Sequence, residues 1–331
     1  MWFEKLMGFK EDGHLQVQDK IILGNGNITS KVNNKTYRYG ILEMPSVGQL
    51  VERNTFNFDN KNYNAHISQY IGDIQEIHQD KDNATAIFQV ASQFNLLEMA
   101  GPEKTPELGV GLYDFDYTQG PACAIACGAG TIYRNYLVPH NGKRGQYRDS
   151  QINCLSGVDA ALNVGRTPWK MMNGYAMLTE AELNDVNNIL SQLDEDSISN
   201  IKDKLNVGIQ WSTEVTLNDV GHLVNQVYSS ALPVAYNNFD SKLWEPLAKL
   251  VLEGTYEATL YAGLLNIRQG NSNKVFLTLV GGGAFGNSMQ WITEVLIKVL
   301  RKFKNTPLDI RIVSHENFNP IVNEIIKKVW E

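Results

Sequence analysis

The chain of 331 residues has little cysteine and no excess of positive charge. Its three cysteines, Cys123, Cys127 and Cys154, are an odd number without the spacing of a disulfide framework, which predicts a reducing, intracellular compartment such as the cytoplasm. With 29 Lys and Arg against 36 Asp and Glu, the formal net charge is −7. A chain with no global positive field is not expected to bind duplex nucleic acid.

Long apolar runs are also missing. No stretch approaches the roughly 18 to 20 uncharged apolar residues that cross a bilayer, so no membrane partner is expected. The N-terminus lacks an apolar run behind a basic start, which argues against a signal peptide. Hydrophobic residues make up 43% and charged residues 20%, which excludes a disordered chain. The composition therefore predicts a soluble globular protein with one large domain or two average ones.

Apolar periodicity divides the chain into parts. Residues 1–65 are polar with short apolar alternations, and we expect a strand-rich extension packed on the main domain. From 66 to 331, buried-strand runs alternate with amphipathic helical patterns, which predicts an α/β domain with helices on both faces of a sheet. An Asn-Gly turn at 173–174 and a capping box at Thr179 and Glu182 predict a hairpin and helices, inserted at about 165–217.

The strongest local signal is a run of glycines at 281–283. It lies between a predicted buried strand, 274–280, and an amphipathic helix with apolar residues on one face from Ile292 to Phe303. Glycines let a ligand approach the backbone with no Cβ in the way, and the helix N-terminus adds unpaired N–H groups and the positive end of a dipole. The pattern is typical of a phosphate cradle, although a tight strand-to-helix turn that binds nothing has the same sequence.

Two further positions fit the same kind of site. A helix is predicted to begin at Gly120 and Pro121, because proline is tolerated in the first turn. Two helix N-termini at the carboxyl ends of parallel strands would suit a diphosphate. Asp73, which follows a strand and a glycine, could accept a hydrogen bond from an exocyclic amine such as adenine N6. Alternatively, the small residues after Pro121 serve only close packing, and Asp73 serves only an Asx turn.

These segments resemble, in order and in motif, the macrodomain family. Residues 70–74 and the strand at 86–95 resemble its Gly-Asp-Ile and Ala-Ile-Val-Asn-Ala-Ala-Asn motifs. Residues 118–125 resemble its first phosphate loop, and 283–286, Gly-Ala-Phe-Gly, its second. The resemblance covers 66–331 and implies a three-layer α/β/α fold around a mixed sheet. Macrodomains bind ADP-ribose, and some hydrolyse ADP-ribosyl linkages.

The resemblance also implies roles for individual residues. Asp73 would bind the adenine amine, Ile74 would pack near that ring, and Phe285 would flank the distal ribose. The rest of the implied ligand-binding set is Gln93, Gln119, Gly120, Pro121, Ala122, Gly281, Gly282, Gly283, Ala284, Gly286 and Asn287. The expected partner is ADP-ribose or an ADP-ribosylated macromolecule. No cofactor and no metal ion are expected, since no His or Cys pair has the spacing of zinc ligands.

The sequence departs from the family where catalysis would depend on it. The two strand asparagines of the family fall on Gln89 and Ser92, and the first loop has Gln-Gly-Pro at 119–121 in place of three glycines. The glycine-rich loop followed by Gln-Glu-Glu that marks poly(ADP-ribose) glycohydrolases is not found.

Hydrolysis of a glycosidic bond would need a general base and groups that stabilise an oxocarbenium-like centre. The candidates for these roles are Glu98, Asn95 and Asp116, of which either carboxylate could be the base. Each has a structural alternative as a capping or solvated residue. Three functions are therefore open: an ADP-ribosyl hydrolase, a non-catalytic module that reads or sequesters ADP-ribose, and a scaffold that has lost the pocket.

Overall fold

The computed structural model describes residues 1–54 and 63–331, so the part of the predicted extension at 55–62 lies outside the described residues. The strands are β1 (Ile21–Gly24), β2 (Asn27–Ser30), β3 (Thr36–Arg38), β4 (Ile41–Glu43), β5 (His66–Ile71), β6 (Ile87–Ala91), β7 (Pro139–His140), β8 (Lys143–Arg144), β9 (Lys170–Met172), β10 (Tyr175–Met177), β11 (Gly208–Glu214), β12 (Leu223–Ser229), β13 (Lys274–Leu277) and β14 (Asp309–Ser314).

The helices are α1 (Trp2–Met7), α2 (His14–Lys20), α3 (Val47–Arg53), α4 (Ile74–Gln79), α5 (Gln119–Ala126), α6 (Gly128–Ile132), α7 (Ser156–Leu162), α8 (Glu180–Leu190), α9 (Glu195–Lys202), α10 (Glu245–Arg268), α11 (Met289–Phe303) and α12 (Pro320–Trp330). Among the described residues, none of these helices has the length and apolar character needed to span a bilayer.

A seven-stranded sheet, within the part of the chain that the structure describes, has the order β4-β11-β12-β6-β13-β14-β5. The five strands from β12 to β5 run parallel, and β11 runs antiparallel to both of its neighbours. The sheet is therefore mixed.

Helices cover both faces of this sheet. Successive residues of a strand point to opposite faces, and β6 shows both. Phe88 stacks on His78 of α4 with ring centroids 3.8 Å apart, whereas the side chain of the next residue, Gln89, donates a hydrogen bond to Thr259 of α10 at 3.2 Å. The three-layer α/β/α architecture that the sequence predicts is confirmed.

The N-terminal segment is divided between two places. Strands β1, β2 and β3 form a small antiparallel sheet, while β4 joins the edge of the central sheet beside β11. Residues 36–43, Thr-Tyr-Arg-Tyr-Gly-Ile-Leu-Glu, therefore contribute one strand to each sheet.

The predicted hairpin and helices at 165–217 are present as β9, β10, α8 and α9, with the Thr179 capping box formed. However, β11 also falls in this range and belongs to the central sheet. The sequence does not predict that β11 is a strand of the central sheet, because its buried residues include the polar Gln210 and Thr213 as well as Ile209. A strand that buries polar side chains gives no clear apolar alternation.

Candidate functional site

A cavity of about 260 Å³ lies where β6 and β13 end, between the N-terminus of α5 and the turn before α11. Both loops that the sequence singles out line it, through Gln119, Gly120, Pro121, Gly281, Gly283, Ala284 and Phe285. Among the described residues that line it there is no Lys, Arg or His. An anion in this cavity would therefore depend on backbone N–H groups and helix dipoles.

The first loop is fixed tightly to the sheet. The Gln119 side chain accepts a hydrogen bond from Ala91 N at 2.8 Å and donates one to Gln89 O at 2.8 Å. Gly120 has no room for a side chain, since a Cβ there would lie 1.9 Å from Ala91 O. Thr118, the N-cap residue, makes no side-chain bond to the first turn of α5. Close packing thus explains the glycine, and the helix N-terminus keeps N–H groups without a side-chain acceptor.

The second loop turns on itself and leaves space beside it. Two backbone hydrogen bonds close it, from Gly286 N to Gly283 O at 3.0 Å and from Asn287 N to Gly281 O at 2.9 Å. Neither bond uses the N–H groups of residues 283–285. A Cβ at Gly283 would meet no atom within 4 Å, and the backbone there is not left-handed. The fold therefore does not require glycine at 283, whereas a side chain there would enter the open space.

The expected adenine contacts lie outside this cavity. Asp73 caps α4, because its Oδ1 accepts hydrogen bonds from Gln75 N at 2.8 Å and Glu76 N at 3.1 Å. Together with Ala122 it lines a neighbouring groove of about 670 Å³. Ile74 is buried in the main hydrophobic core. The Asx turn considered as the alternative for Asp73 is therefore present, and it leaves Oδ2 outside the capping bonds.

The remaining residues of the second loop support the turn. Asn287 is buried, and its Nδ2 donates a hydrogen bond to Leu232 O at 2.8 Å, which ties the turn to the segment after β12. Gly282 and Gly286 belong to the same turn but not to the cavity lining. These three residues shape the loop instead of facing the cavity.

Two amide side chains shape the segment that follows β6. Gln93, which lines the cavity, accepts a hydrogen bond from Met99 N at 3.0 Å and donates one to Met99 O at 3.1 Å. Asn95 is fully buried and outside the lining, with Oδ1 accepting from Leu97 N at 3.1 Å and Nδ2 donating to Gln151 Oε1 at 3.0 Å. Asn95 therefore holds this segment together, and its amide is already engaged on both atoms.

Glu98 lies at the base of the cavity in a buried polar network. Both of its carboxylate oxygens accept from Arg134 Nη2 at 3.3 Å, and neither side chain is exposed. The same guanidinium donates a hydrogen bond to the hydroxyl of Tyr228. Burial raises the pKa of Glu98 to about 7, although Arg134 opposes the shift. A carboxyl with this pKa exchanges a proton near neutral pH, but its oxygens face Arg134.

Asp116 occupies the rim, where it lines both the cavity and the larger groove. Its Oδ1 accepts hydrogen bonds from Thr118 N at 2.9 Å and Thr118 Oγ1 at 2.6 Å. Both bonds use the same oxygen, so Oδ2 takes no part in them. Asp116 is also only half-buried, unlike Glu98. Of the candidate catalytic carboxylates, it is the one with an oxygen available to a ligand.

Three aromatic rings from separate segments form one wall of the cavity, and the sequence predicts only one of them. Phe285 was expected, but Tyr175 and Tyr236 were not, and all three line the cavity. The ring centroid of Phe285 lies 5.0 Å from that of Tyr175 and 5.9 Å from that of Tyr236. The Asn-Gly turn predicts the hairpin that carries Tyr175, but no local pattern places this hairpin against the glycine loop.

A hollow of about 360 Å³ adjoins the cavity on the side of β14, and the two share Thr278 and Leu279 in their linings. Phe318 lines this hollow and is 60% exposed, and His315 lines both the hollow and the larger groove that contains Asp73. A second compartment with an exposed aromatic ring therefore borders the cavity.

The cysteines take no part in this site. All three are buried free thiols, and burial raises the pKa of Cys154 to about 12 and also raises the pKa of Cys123 well above its ordinary value. Thiols held in this form are poor nucleophiles. In the described part of the chain, no three His, Cys, Asp or Glu side chains are grouped as ligands for a metal ion.

No model of a known protein family matches this chain, and no curated protein matches it. Comparison with solved structures finds distant similarity to two enzymes of one kind. The poly(ADP-ribose) glycohydrolase of Thermomonospora curvata is 11% identical with a TM-score of 0.46, over 95% of this chain and 97% of that one. The enzyme of Deinococcus radiodurans in complex with ADP-ribose is 8% identical with a TM-score of 0.42, over 87% and 94%. At these values the likeness transfers no residue role to this chain.

Proposed function

We propose that this protein binds ADP-ribose, or the ADP-ribosyl group of a conjugate, with the diphosphate in the 260 Å³ cavity. One observation carries the proposal: the two loops that resemble phosphate loops, about 160 residues apart in sequence, line the same cavity at the ends of parallel strands. An anion there would meet the N-terminus of α5 and the N–H groups of residues 283–285. Oriented backbone donors of this kind suit phosphate.

The geometry at Gly283 is compatible with a ligand that approaches the backbone. A glycine costs conformational entropy on folding, and the fold gives Gly283 no steric reason to lack a side chain. A ligand that approaches the backbone at this point supplies such a reason. The third function considered from the sequence, a scaffold without a pocket, is therefore the least favoured.

The nucleoside end would extend from the cavity into the adjoining hollow. Phe318 offers an exposed ring for stacking in the hollow. Asp73 lies in the neighbouring groove, where its Oδ2 is outside the bonds that cap α4 and is 4.0 Å from Nδ1 of His315, which lines both the groove and the hollow. The other end, the distal ribose, would meet the wall formed by Tyr175, Tyr236 and Phe285. Aromatic faces suit the apolar side of a sugar ring, and Asp116 at the rim lies on the same cavity.

Hydrolysis is the reaction that this arrangement supports best. Asp116 would take a proton from a water molecule whose oxygen attacks the anomeric carbon of the distal ribose. The bond to the acceptor breaks with its electron pair on the acceptor atom, which gains a proton from solvent. The second candidate is a non-catalytic reader, which is favoured by one specific observation: Glu98 and Asn95 are both fully engaged in buried contacts.

Binding is tested by titration calorimetry of the wild-type protein with ADP-ribose. A single site is expected, because one cavity carries both loops. The absence of heat at millimolar ligand would remove both the hydrolase and the reader.

The variant Asp116→Asn separates the two remaining functions. Asparagine keeps the acceptor for Thr118 but cannot take a proton, so we expect hydrolysis of mono-ADP-ribosylated protein to fall by about a hundredfold or more while ADP-ribose still binds. Asp12→Asn, at an exposed position outside the cavity lining, is the matched control. An intact conjugate after incubation with the wild-type protein would identify a reader, and full activity of Asp116→Asn would exclude this residue as the base.

A further inference from the structure

The N-terminal segment and the candidate catalytic segment share one hydrophobic cluster, separate from the main core. Leu97 and Met99, the two neighbours of Glu98, belong to this cluster, and Met99 also lines the cavity. Residues from α1 to β3 make up much of the rest, among them Phe3, Met7, Val17, Ile28 and Tyr37. The first forty residues therefore form the support on which one wall of the cavity rests.

Within this support, one carboxylate contacts the chain leading to Asp116. Glu11 accepts hydrogen bonds from Val110 N at 2.9 Å on Oε1 and from Gly111 N at 2.8 Å on Oε2. The hydroxyl of Tyr136 also donates to Oε1. Charge-assisted bonds of this type are among the stronger ones in proteins. Both oxygens of Glu11 are thus committed to holding the start of a single short helix.

That short helix, the 3₁₀ segment Gly111–Phe115, leads directly to the cavity rim. Glu98 N donates a hydrogen bond to the hydroxyl of Tyr113 at 3.0 Å, and Asp116 follows the last residue of the segment. The backbone amide of Trp2 donates to Asp114 at 2.8 Å, which fixes the same segment a second time. A displacement of residues 110–111 would therefore move both candidate carboxylates.

We infer that Glu11 is a positioning residue for the site: its carboxylate holds residues 110–118 in the conformation that forms the cavity wall and presents Asp116. The inference rests on the proposed function, since a positioned wall matters only if the cavity takes a ligand. It also assigns a role to the N-terminal segment, whose polar sequence alone suggests none.

The variant Glu11→Gln tests this inference with little change in shape. Its carboxamide can accept from one of the two amides but places its own N–H₂ against the other. We expect ADP-ribose affinity to fall by between about ten- and a hundredfold, which is the equilibrium effect of losing one hydrogen bond to a charged group that holds the cavity wall. The neighbouring exposed residue supplies the matched control, and Asp12→Asn is expected to bind as the wild type does.

A second variant distinguishes positioning from general stability. Tyr136→Phe removes the phenol that donates to Glu11 and leaves both amide bonds in place. It should lower the unfolding temperature without changing affinity at a temperature where the protein is folded. Equal losses of affinity in Tyr136→Phe and Glu11→Gln would overturn a positioning role, as would wild-type affinity in Glu11→Gln.

Hydrogen exchange on the free protein decides the question without a ligand. In Glu11→Gln the amides of residues 110–118 should exchange faster, while those of α10 should not change. Unchanged exchange across 110–118 would overturn the inference. If the wild-type protein does not bind ADP-ribose, the proposed function fails, and this measurement alone then shows whether Glu11 holds the segment.

Discussion

The two loops on either side of the cavity carry the same residue type for different reasons. At the first, a Cβ on Gly120 would lie 1.9 Å from a backbone oxygen of β6, so packing alone demands glycine. At the second, a Cβ on Gly283 would meet nothing within 4 Å. A glycine that the fold requires says little about ligands, whereas a glycine that the fold does not require directs attention to what occupies the space beside it.

The cores beneath the two loops differ as well. Under the first loop, Gln226 Nε2 donates to Cys123 O of α5 at 2.9 Å and lies 3.1 Å from His78 Nε2, so the packing is partly polar. Under the second, α11 buries an apolar face of Ile292, Val295, Leu296 and Val299. Stability on the side of the first loop should therefore depend on pH and on exact geometry more than on the side of the second.

The largest expected effect comes from making the same substitution at both glycines. Gly120→Ala forces α5 away from β6, and we expect the free energy of unfolding to fall by about 3 kcal/mol or more, at the upper end of overpacking costs. Gly283→Ala should change it by less than about 0.5 kcal/mol, as for an exposed site with open space. Urea denaturation measures both, and similar values for the two variants would refute the contrast.

The next effect concerns the polar core under the first loop. Burial lowers the pKa of His78 from its ordinary 6.5 to about 4, although the hydrogen bond between its Nδ1 and Ile74 O opposes the shift. The folded state thus favours the neutral ring and the unfolded state binds the proton more readily. The contribution of the neutral His78 ring to the free energy of unfolding is therefore fully present above pH 6.5 and is lost as the pH falls through 4. The loss amounts to up to about 3 kcal/mol.

The measurement is the free energy of unfolding at pH 7 and at pH 4 for the wild type and for His78→Gln. Other groups titrate in the same range, so the prediction concerns the difference between the two proteins. As the pH falls from 7 to 4, the free energy of unfolding of the wild type should therefore decrease by more than that of His78→Gln. A difference that is independent of pH would show that His78 is not held in the neutral form.

A charge at the second loop tests ligand binding without disturbing the fold. Gly283→Glu places a carboxylate in the open space of the cavity, and we expect at least about a hundredfold loss of ADP-ribose affinity from repulsion of the diphosphate. Gly24→Glu is the matched control, because Gly24 is also exposed, has open space for a Cβ and lies outside the cavity. Unchanged affinity in a folded Gly283→Glu protein would remove the diphosphate from this cavity.

Local sequence patterns predict much of the fold. The helix that begins near Pro121, the hairpin at 173–174, the capping box of α8 and the strand-turn-helix around 281–287 are all formed. Each depends on residues within a few positions of one another, where turn chemistry, capping and periodicity act. The exception is β11, where buried polar residues conceal the strand.

The features of the candidate site likewise fall into those that local sequence determines and those that depend on tertiary packing. The sequence by itself determined where the two helix N-termini and their glycines lie, since these follow from short-range backbone preferences. Only the tertiary structure decided that the two loops meet at one cavity, that Glu98 is paired with Arg134 while Asp116 faces the rim, and that Tyr175 joins the wall. It also decided that Glu11 supports amides 99 and 100 positions away. Contacts over such separations arise from the packing of whole elements, which no local period encodes.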